Sequence, residues 1–149
     1  MIKAFFDTGE ETSQLVLRVL LGIVFFPHGA QKLLGWFGGG GFNGTMEFFT
    51  GALGIPAVLA FLVIMTESFG ALALVAGFFT RLAAFGVASI MVVATFMLHW
   101  QHGFFMNWFG NQKGEGFEYH ILAVAICLAL MIKGGGRWSL DRWVAHRMS

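Results

Sequence analysis

QLVLRVLLGIVFFPHGAQKLL, at residues 14–34, decides the fold class, because it is apolar for long enough to cross a membrane as a helix. Three further apolar segments follow at residues 55–77, 81–100 and 117–133. None of them alternates apolar with polar residues, as the strands of a membrane barrel do. A helix pairs its own backbone polar groups inside hydrocarbon, so we predict an all-α bundle of four transmembrane helices.

The composition supports a lipid-facing surface. Hydrophobic residues make up 57% of the 149 residues and charged residues 11%, whereas soluble domains carry about 25% charged residues. The net charge of +1 gives no electrostatic basis for binding nucleic acid. A single cysteine, Cys127, excludes a dithiol redox site and a four-cysteine iron–sulfur cluster within the chain. The length predicts one domain over residues 1–149.

The positive charges predict the orientation in the membrane. Four spans place both termini on one side, together with the turn between the second and third spans. That side carries most of the basic residues, namely Lys3, Arg81, Lys133, Arg137, Arg142 and Arg147. The other side carries Lys32 and Lys113. Since basic residues favour the cytoplasm, we expect both termini there, with a short amphipathic surface helix at 138–148.

Two loops, at residues 35–54 and 101–116, then lie on the outer side. Both combine glycine with aromatic residues, and the first is expected to contain a short helix at 45–50. One interpretation is an interfacial aromatic belt with packed loops. The other is a lid over a site that binds a flat, apolar ligand.

Ionisable residues inside the spans each need a partner or a function. Arg18, His28 and Lys32 fall within an arc of about 80° on the first helix, so we expect this face to point into the bundle. Glu67 lies in the middle of the second span. We predict an internal ion pair between Arg18 and Glu67, with Arg81 as a second candidate partner. The pair would either fix the helix register or control a proton-handling carboxyl group.

Most of the titratable side chains of the spans collect at the outer end. With Glu67, they form the candidate ligand pocket: His28, Lys32, Glu67, His99, His102, Glu118 and His120. Glu118 and His120 diverge by about 160° on a helix, so we expect them to face different surroundings. The outer end is either a polar interface or a pocket of proton donors and acceptors, which suits a quinone. A haem held by two histidines among His28, His99 and His120 is a third reading, although no spacing specifies a metal site, so no metal is assigned.

The order of several short motifs resembles the DoxX family over almost the whole chain. The first helix contributes RVLLG at 18–22, HG at 28–29 and KL at 32–33, followed by a glycine-rich aromatic loop. The remaining motifs are GIP at 54–56, Glu67 with Gly70 and Gly77, TR at 80–81, EY at 118–119, Gly136 and SLD at 139–141. The resemblance implies a four-helix bacterial inner-membrane protein. Members are linked to thiosulfate:quinone oxidoreductase, to membrane complexes for thiol and oxidative stress, and to resistance against quinones and catechols.

The residues and the resemblance together predict a membrane subunit of a redox system that binds quinone or a similar apolar aromatic compound. The chain has no nucleotide-binding loop and no cluster ligands, so electrons would come from a soluble partner protein, and no intrinsic cofactor is expected. Whether the chain is catalytic is left open. The alternatives are a membrane anchor or small-molecule permeation protein, and a haem or metal carrier. Besides the lipid bilayer, a second copy of the chain is a candidate partner.

Overall fold

The computed structural model of the protein describes residues 6–147. Every regular element in this part of the chain is helical, which confirms the all-α class. Six α-helices follow in order: α1 (Thr12–Leu34), α2 (Gly41–Glu47), α3 (Ala57–Ala76), α4 (Thr80–His102), α5 (Glu118–Lys133) and α6 (Leu140–Arg147). A 3-10 turn, Trp36–Gly38, precedes α2, and a π-helical turn, Phe48–Ala52, follows it.

Three of the helices, α1, α3 and α4, are long and apolar enough to cross a membrane. They confirm the first three predicted spans to within a few residues. The fourth predicted span corresponds to α5, which has 16 residues and is therefore about 24 Å long. The predicted C-terminal helix is present as α6; Lys3 and Met148, which the sequence analysis included, lie outside the described residues.

The core of the bundle lies between α1, α3, α4 and α5. Its largest members include Phe25, Leu74, Val87 and Leu130, and Cys127 is fully buried among them. The opposite faces of the same helices are apolar as well as exposed, for example Val58 at 72%, Ile132 at 70% and Leu122 at 65%. Large apolar side chains exposed in such numbers indicate a surface that lies against lipid or another protein.

Two glycines bring α1 and α3 into backbone contact. A Cβ atom added to Gly22 would lie 2.7 Å from the carbonyl oxygen of Ala71, and one added to Gly29 would lie 2.6 Å from the Cα atom of Ser68. The Ser68 hydroxyl donates a hydrogen bond to the Gly29 carbonyl oxygen at 3.1 Å. Small residues thus fix the antiparallel register of the two helices, with Gly29 opposite Glu67.

Two of the spans contain a π-helical turn. In α3 it covers Thr66–Gly70 and includes Glu67, and in α4 it covers Thr95–His99 and ends on His99. An extra residue in a helical turn changes the direction of the side chains within it, and such turns are frequent at functional sites. Each of the two turns contains one of the candidate pocket residues, Glu67 in α3 and His99 in α4.

Candidate functional site

Glu67 is paired with Lys32 across the contact between α1 and α3. The Lys32 Nζ atom lies 2.5 Å from the Glu67 Oε2 atom. Glu67 is 4% exposed, whereas the Lys32 side chain keeps 22% of its surface accessible. The carboxylate is thus buried with a cation beside it, which is the arrangement that makes such burial tolerable.

The predicted ion pair between Arg18 and Glu67 is wrong. Glu67 lies opposite Gly29, and eleven positions of α1 separate Arg18 from Gly29. That separation is about 16 Å along the helix axis, which is beyond the reach of an arginine side chain. Arg81 is not the partner of Glu67 either, because it donates hydrogen bonds to the carbonyl oxygens of Met131 and Ile132.

Arg18 is instead bound by backbone carbonyl groups at the opposite end of the bundle. It is 1% exposed. Its guanidinium group donates to the carbonyl oxygens of Gly135 at 2.9 Å, Leu74 at 3.1 Å and Trp138 at 3.0 Å, and also to those of Val75 and Arg137. A guanidinium group has five N–H donors, so every one of them has an acceptor. Arg18 therefore joins the end of α3 to the segment before α6.

An open cleft lies where α1 ends and α2 packs against it. Its volume is about 330 Å³, which is at the lower end of the range for small-molecule sites. The lining combines glycine backbone, two aromatic rings and three polar side chains: Gln31, Lys32, Gly39, Gly40, Gly44, Thr45, Phe48 and Phe49. Lys32 is the only one of the seven candidate pocket residues in this lining, and through it the cleft reaches the buried Glu67.

His28 does not share the buried environment of its helix face. Its side chain is exposed, while Arg18 on the same arc is buried and Lys32 is partly buried. The expectation that all three point into the bundle is therefore wrong for His28. It lies at one edge of the 80° arc, where a small rotation of the helix turns a side chain outward.

His99 and His120 form a second cluster, on α4 and α5. Their ring centroids are 4.1 Å apart, and His120 is 5% exposed. The Nδ1 atom of His99 lies 2.9 Å from the carbonyl oxygen of Glu115. Since a carbonyl oxygen only accepts, His99 Nδ1 carries the hydrogen. The two rings are in direct contact, so a haem iron could bind both only if they moved apart.

Glu118 and His102 both contact the loop between α4 and α5. Glu118 accepts hydrogen bonds from the backbone N–H of Met106 at 3.0 Å and from the indole N–H of Trp108 at 2.9 Å. His102 packs against Gly114. The expectation that Glu118 and His120 have different surroundings is confirmed, since one holds the loop and the other is buried against His99.

The structure thus divides six of the seven candidates into three groups: Lys32 with Glu67, His99 with His120, and Glu118 with His102 at the loop. His28, the seventh, is exposed on α1. A lid over a ligand was one of two interpretations of the 35–54 loop, and neither identified Gly44, Thr45, Phe48 and Phe49 as lining residues. Their position depends on the fold of α2 back onto α1. The only sign in the sequence was the combination of glycine and phenylalanine.

The fold and these polar clusters define an all-helical membrane protein with a buried ion pair beneath an open cleft. The chain belongs to the DoxX family, whose sequence profile matches residues 13–100.

Two curated relatives cover most of the chain. The chain is 30% identical over 133 residues to "Inner membrane protein YqjF" of Escherichia coli (strain K12), which covers 89% of this chain and 92% of that protein. It is 32% identical over 120 residues to "Putative oxidoreductase CatD" of Bacillus subtilis (strain 168), covering 80% of this chain and 79% of that protein. No solved structure matches the chain.

Proposed function

We propose that the chain is a membrane subunit of a redox system, and that it binds a quinone or a similar apolar aromatic compound in the cleft above Lys32. The observation that carries the proposal is the composition of this cleft. Two phenylalanine rings and glycine backbone provide apolar contact area, while Lys32 provides a hydrogen-bond donor fixed by Glu67. Sites for small ligands commonly combine an apolar lining with a few fixed polar groups.

The chemistry of Lys32 suits a carbonyl ligand. An ammonium group has three N–H donors, and Glu67 accepts one of them. The remaining donors are available to a quinone oxygen, while Phe48 and Phe49 contact the ring face or edge. Electrons would come from a partner protein, in a pathway that deals with thiol, oxidative or electrophile stress. The name of the relative from Bacillus subtilis supports the redox assignment.

We propose α5 as a fourth span, which completes a four-helix bundle in the bacterial inner membrane. Its exposed surface is formed by large apolar residues: Ile121, Leu122, Leu128 and Ile132. The basic residues Arg81, Lys133 and Arg137 lie near the Arg18 end of the bundle, so this end and both termini would be cytoplasmic. The cleft and the loop at 101–116 would then face the extracytoplasmic side.

A binding experiment tests the site. Purified protein is titrated with 1,4-naphthoquinone while tryptophan fluorescence is followed, because Trp36 lies in the turn that leads to the cleft. Gly44→Leu should reduce the affinity at least tenfold, because Gly44 lines the cleft and leucine there would occupy space that the ligand needs. A Cβ atom added to Gly44 would meet nothing within 4 Å, so the change should be compatible with the fold.

Gly51→Leu is the matched control. Gly51 also has open space around its Cβ position, but it does not line the cleft. It should bind as well as the wild type. Equal binding by the wild type and Gly44→Leu would refute the proposed site. Binding of the quinone without electron transfer to it in native membranes would instead favour the anchor or permeation function.

A further inference from the structure

The electrical charge of the cleft is set by one pair of residues. Of the eight lining residues, Lys32 alone carries a formal charge. Its ammonium group lies 2.5 Å from the Glu67 carboxylate, directly behind the lining. The charges of the two groups sum to zero, so a ligand in the cleft meets hydrogen-bond donors without a net positive charge.

Two other titratable side chains interact electrostatically with the pair. His28, one turn before Lys32 and exposed, interacts with both charges, and Tyr119 of α5 interacts with Glu67. A neutral imidazole and a phenol add no charge to the sum. Glu47 follows Thr45 on α2, but it is exposed and does not line the cleft. The histidine pair His99–His120 lies on α4 and α5, whereas the cleft is formed by α1, α2 and their connections.

A negatively charged ligand would therefore bind at a cost. Its carboxylate could accept the remaining N–H donors of Lys32 only by lying next to the Glu67 carboxylate, whose charge has the same sign. Like charges placed side by side are a common means of rejecting a wrong ligand. A neutral carbonyl oxygen accepts a hydrogen bond from Lys32 without this repulsion.

From this geometry, and resting on the proposed function, we infer that Glu67 makes the cleft selective for uncharged ring ligands over ring carboxylates of the same shape. Glu67 acts as a specificity-determining residue through Lys32, without contacting the ligand. At about 330 Å³, the cleft has room for a ligand of one or two rings.

Two probes of nearly equal shape test the inference. They are 2-acetylnaphthalene, which is neutral, and 2-naphthoate, in which a carboxylate replaces the acetyl group. Binding is measured by equilibrium dialysis of the full chain in nanodiscs, with empty nanodiscs as the blank for membrane partitioning. The wild type should bind the neutral probe at least tenfold more tightly than the carboxylate. Equal affinity for both probes would overturn the inference by itself.

Glu67→Gln sharpens the test, because it leaves the positive charge of Lys32 uncompensated. The preference for the neutral probe should fall by about tenfold or reverse, since a charge-assisted hydrogen bond to the carboxylate becomes available. Glu47→Gln removes a carboxylate from the neighbouring helix α2 and should leave the preference unchanged. An unchanged preference in a folded Glu67→Gln variant would also overturn the inference.

If Glu67→Gln does not fold, the affinities of the wild type for the neutral and the carboxylate probe still test the inference. It also separates this inference from the proposed function. Absence of binding of both probes and of 1,4-naphthoquinone by the wild type would refute the ligand site itself. Tight binding of both probes would refute only the charge selection.

Discussion

The two ends of the bundle each contain a buried or partly buried cation, but they use it differently. At the Arg18 end, all five guanidinium N–H groups are bound by backbone carbonyl oxygens. At the Lys32 end, the ammonium group has one carboxylate partner and also borders an open cleft. A fully bonded cation stabilises the fold, whereas a partly bonded one beside a cleft remains available to a ligand.

At the Arg18 end of the bundle, charged side chains form hydrogen bonds with the backbone groups that helix ends leave unpaired. Arg18 binds the last carbonyl groups of α3, and Arg81 binds those of α5. Asp141 accepts hydrogen bonds from the backbone N–H groups of Phe79 at 2.7 Å and Thr80 at 2.9 Å, at the start of α4. Cations thus lie at helix C-termini and an anion at an N-terminus, as the helix dipole favours.

The largest effect should come from Arg18→Met, which removes hydrogen bonds to five carbonyl groups; the Leu74 carbonyl keeps a second donor, the Gly77 N–H at 3.2 Å. Leaving buried carbonyls unpaired should lower the free energy of unfolding by more than about 3 kcal/mol. Thermal unfolding in detergent and the yield of folded protein measure this loss. Arg147→Met makes the same change at an exposed position over Trp143 and should have little effect. Equal loss in both variants would contradict the structural role given to Arg18.

Asp141→Ala should have the next largest effect at the same end. Asp141 is 2% exposed, and its loss leaves the first N–H groups of α4 without their acceptor. We expect a loss of about 2 kcal/mol, as for other helix caps. Asp7→Ala is the control, because its side chain is exposed. An unfolding temperature unchanged by Asp141→Ala would show that water or lipid replaces the cap.

Lys32→Met sharpens the comparison at the other end. It leaves the buried Glu67 carboxylate without its cation. The loss should be about 2 kcal/mol, below that of a fully buried pair because the Lys32 side chain keeps 22% of its surface accessible. Lys32→Met combined with Glu67→Gln should regain most of that loss, because no unpaired charge remains. A double-mutant cycle measured by unfolding in detergent gives the coupling energy. A double variant less stable than Lys32→Met alone would contradict this account.

The sequence predicted where the helices lie along the chain, but it did not predict which residues of neighbouring helices are in contact. The hydropathy of the chain was sufficient to predict α1, α3 and α4, because the length of an apolar segment reflects the thickness of a membrane. The prediction for Glu67 failed because it relied on the reach of an arginine side chain. It did not consider which residues of α1 and α3 lie opposite each other.

The sequence by itself determined that the chain is a helical membrane protein, and that its few ionisable residues need partners, since hydrocarbon provides none. Only the tertiary structure decided which partner each residue has. The backbone contacts at Gly22 and Gly29 set the relative depth of α1 and α3, and this depth places Lys32 beside Glu67 and Arg18 beside the end of α3. The same folding of the chain brings α2 over Lys32 and creates the cleft, because contacts between distant segments depend on packing that no local pattern encodes.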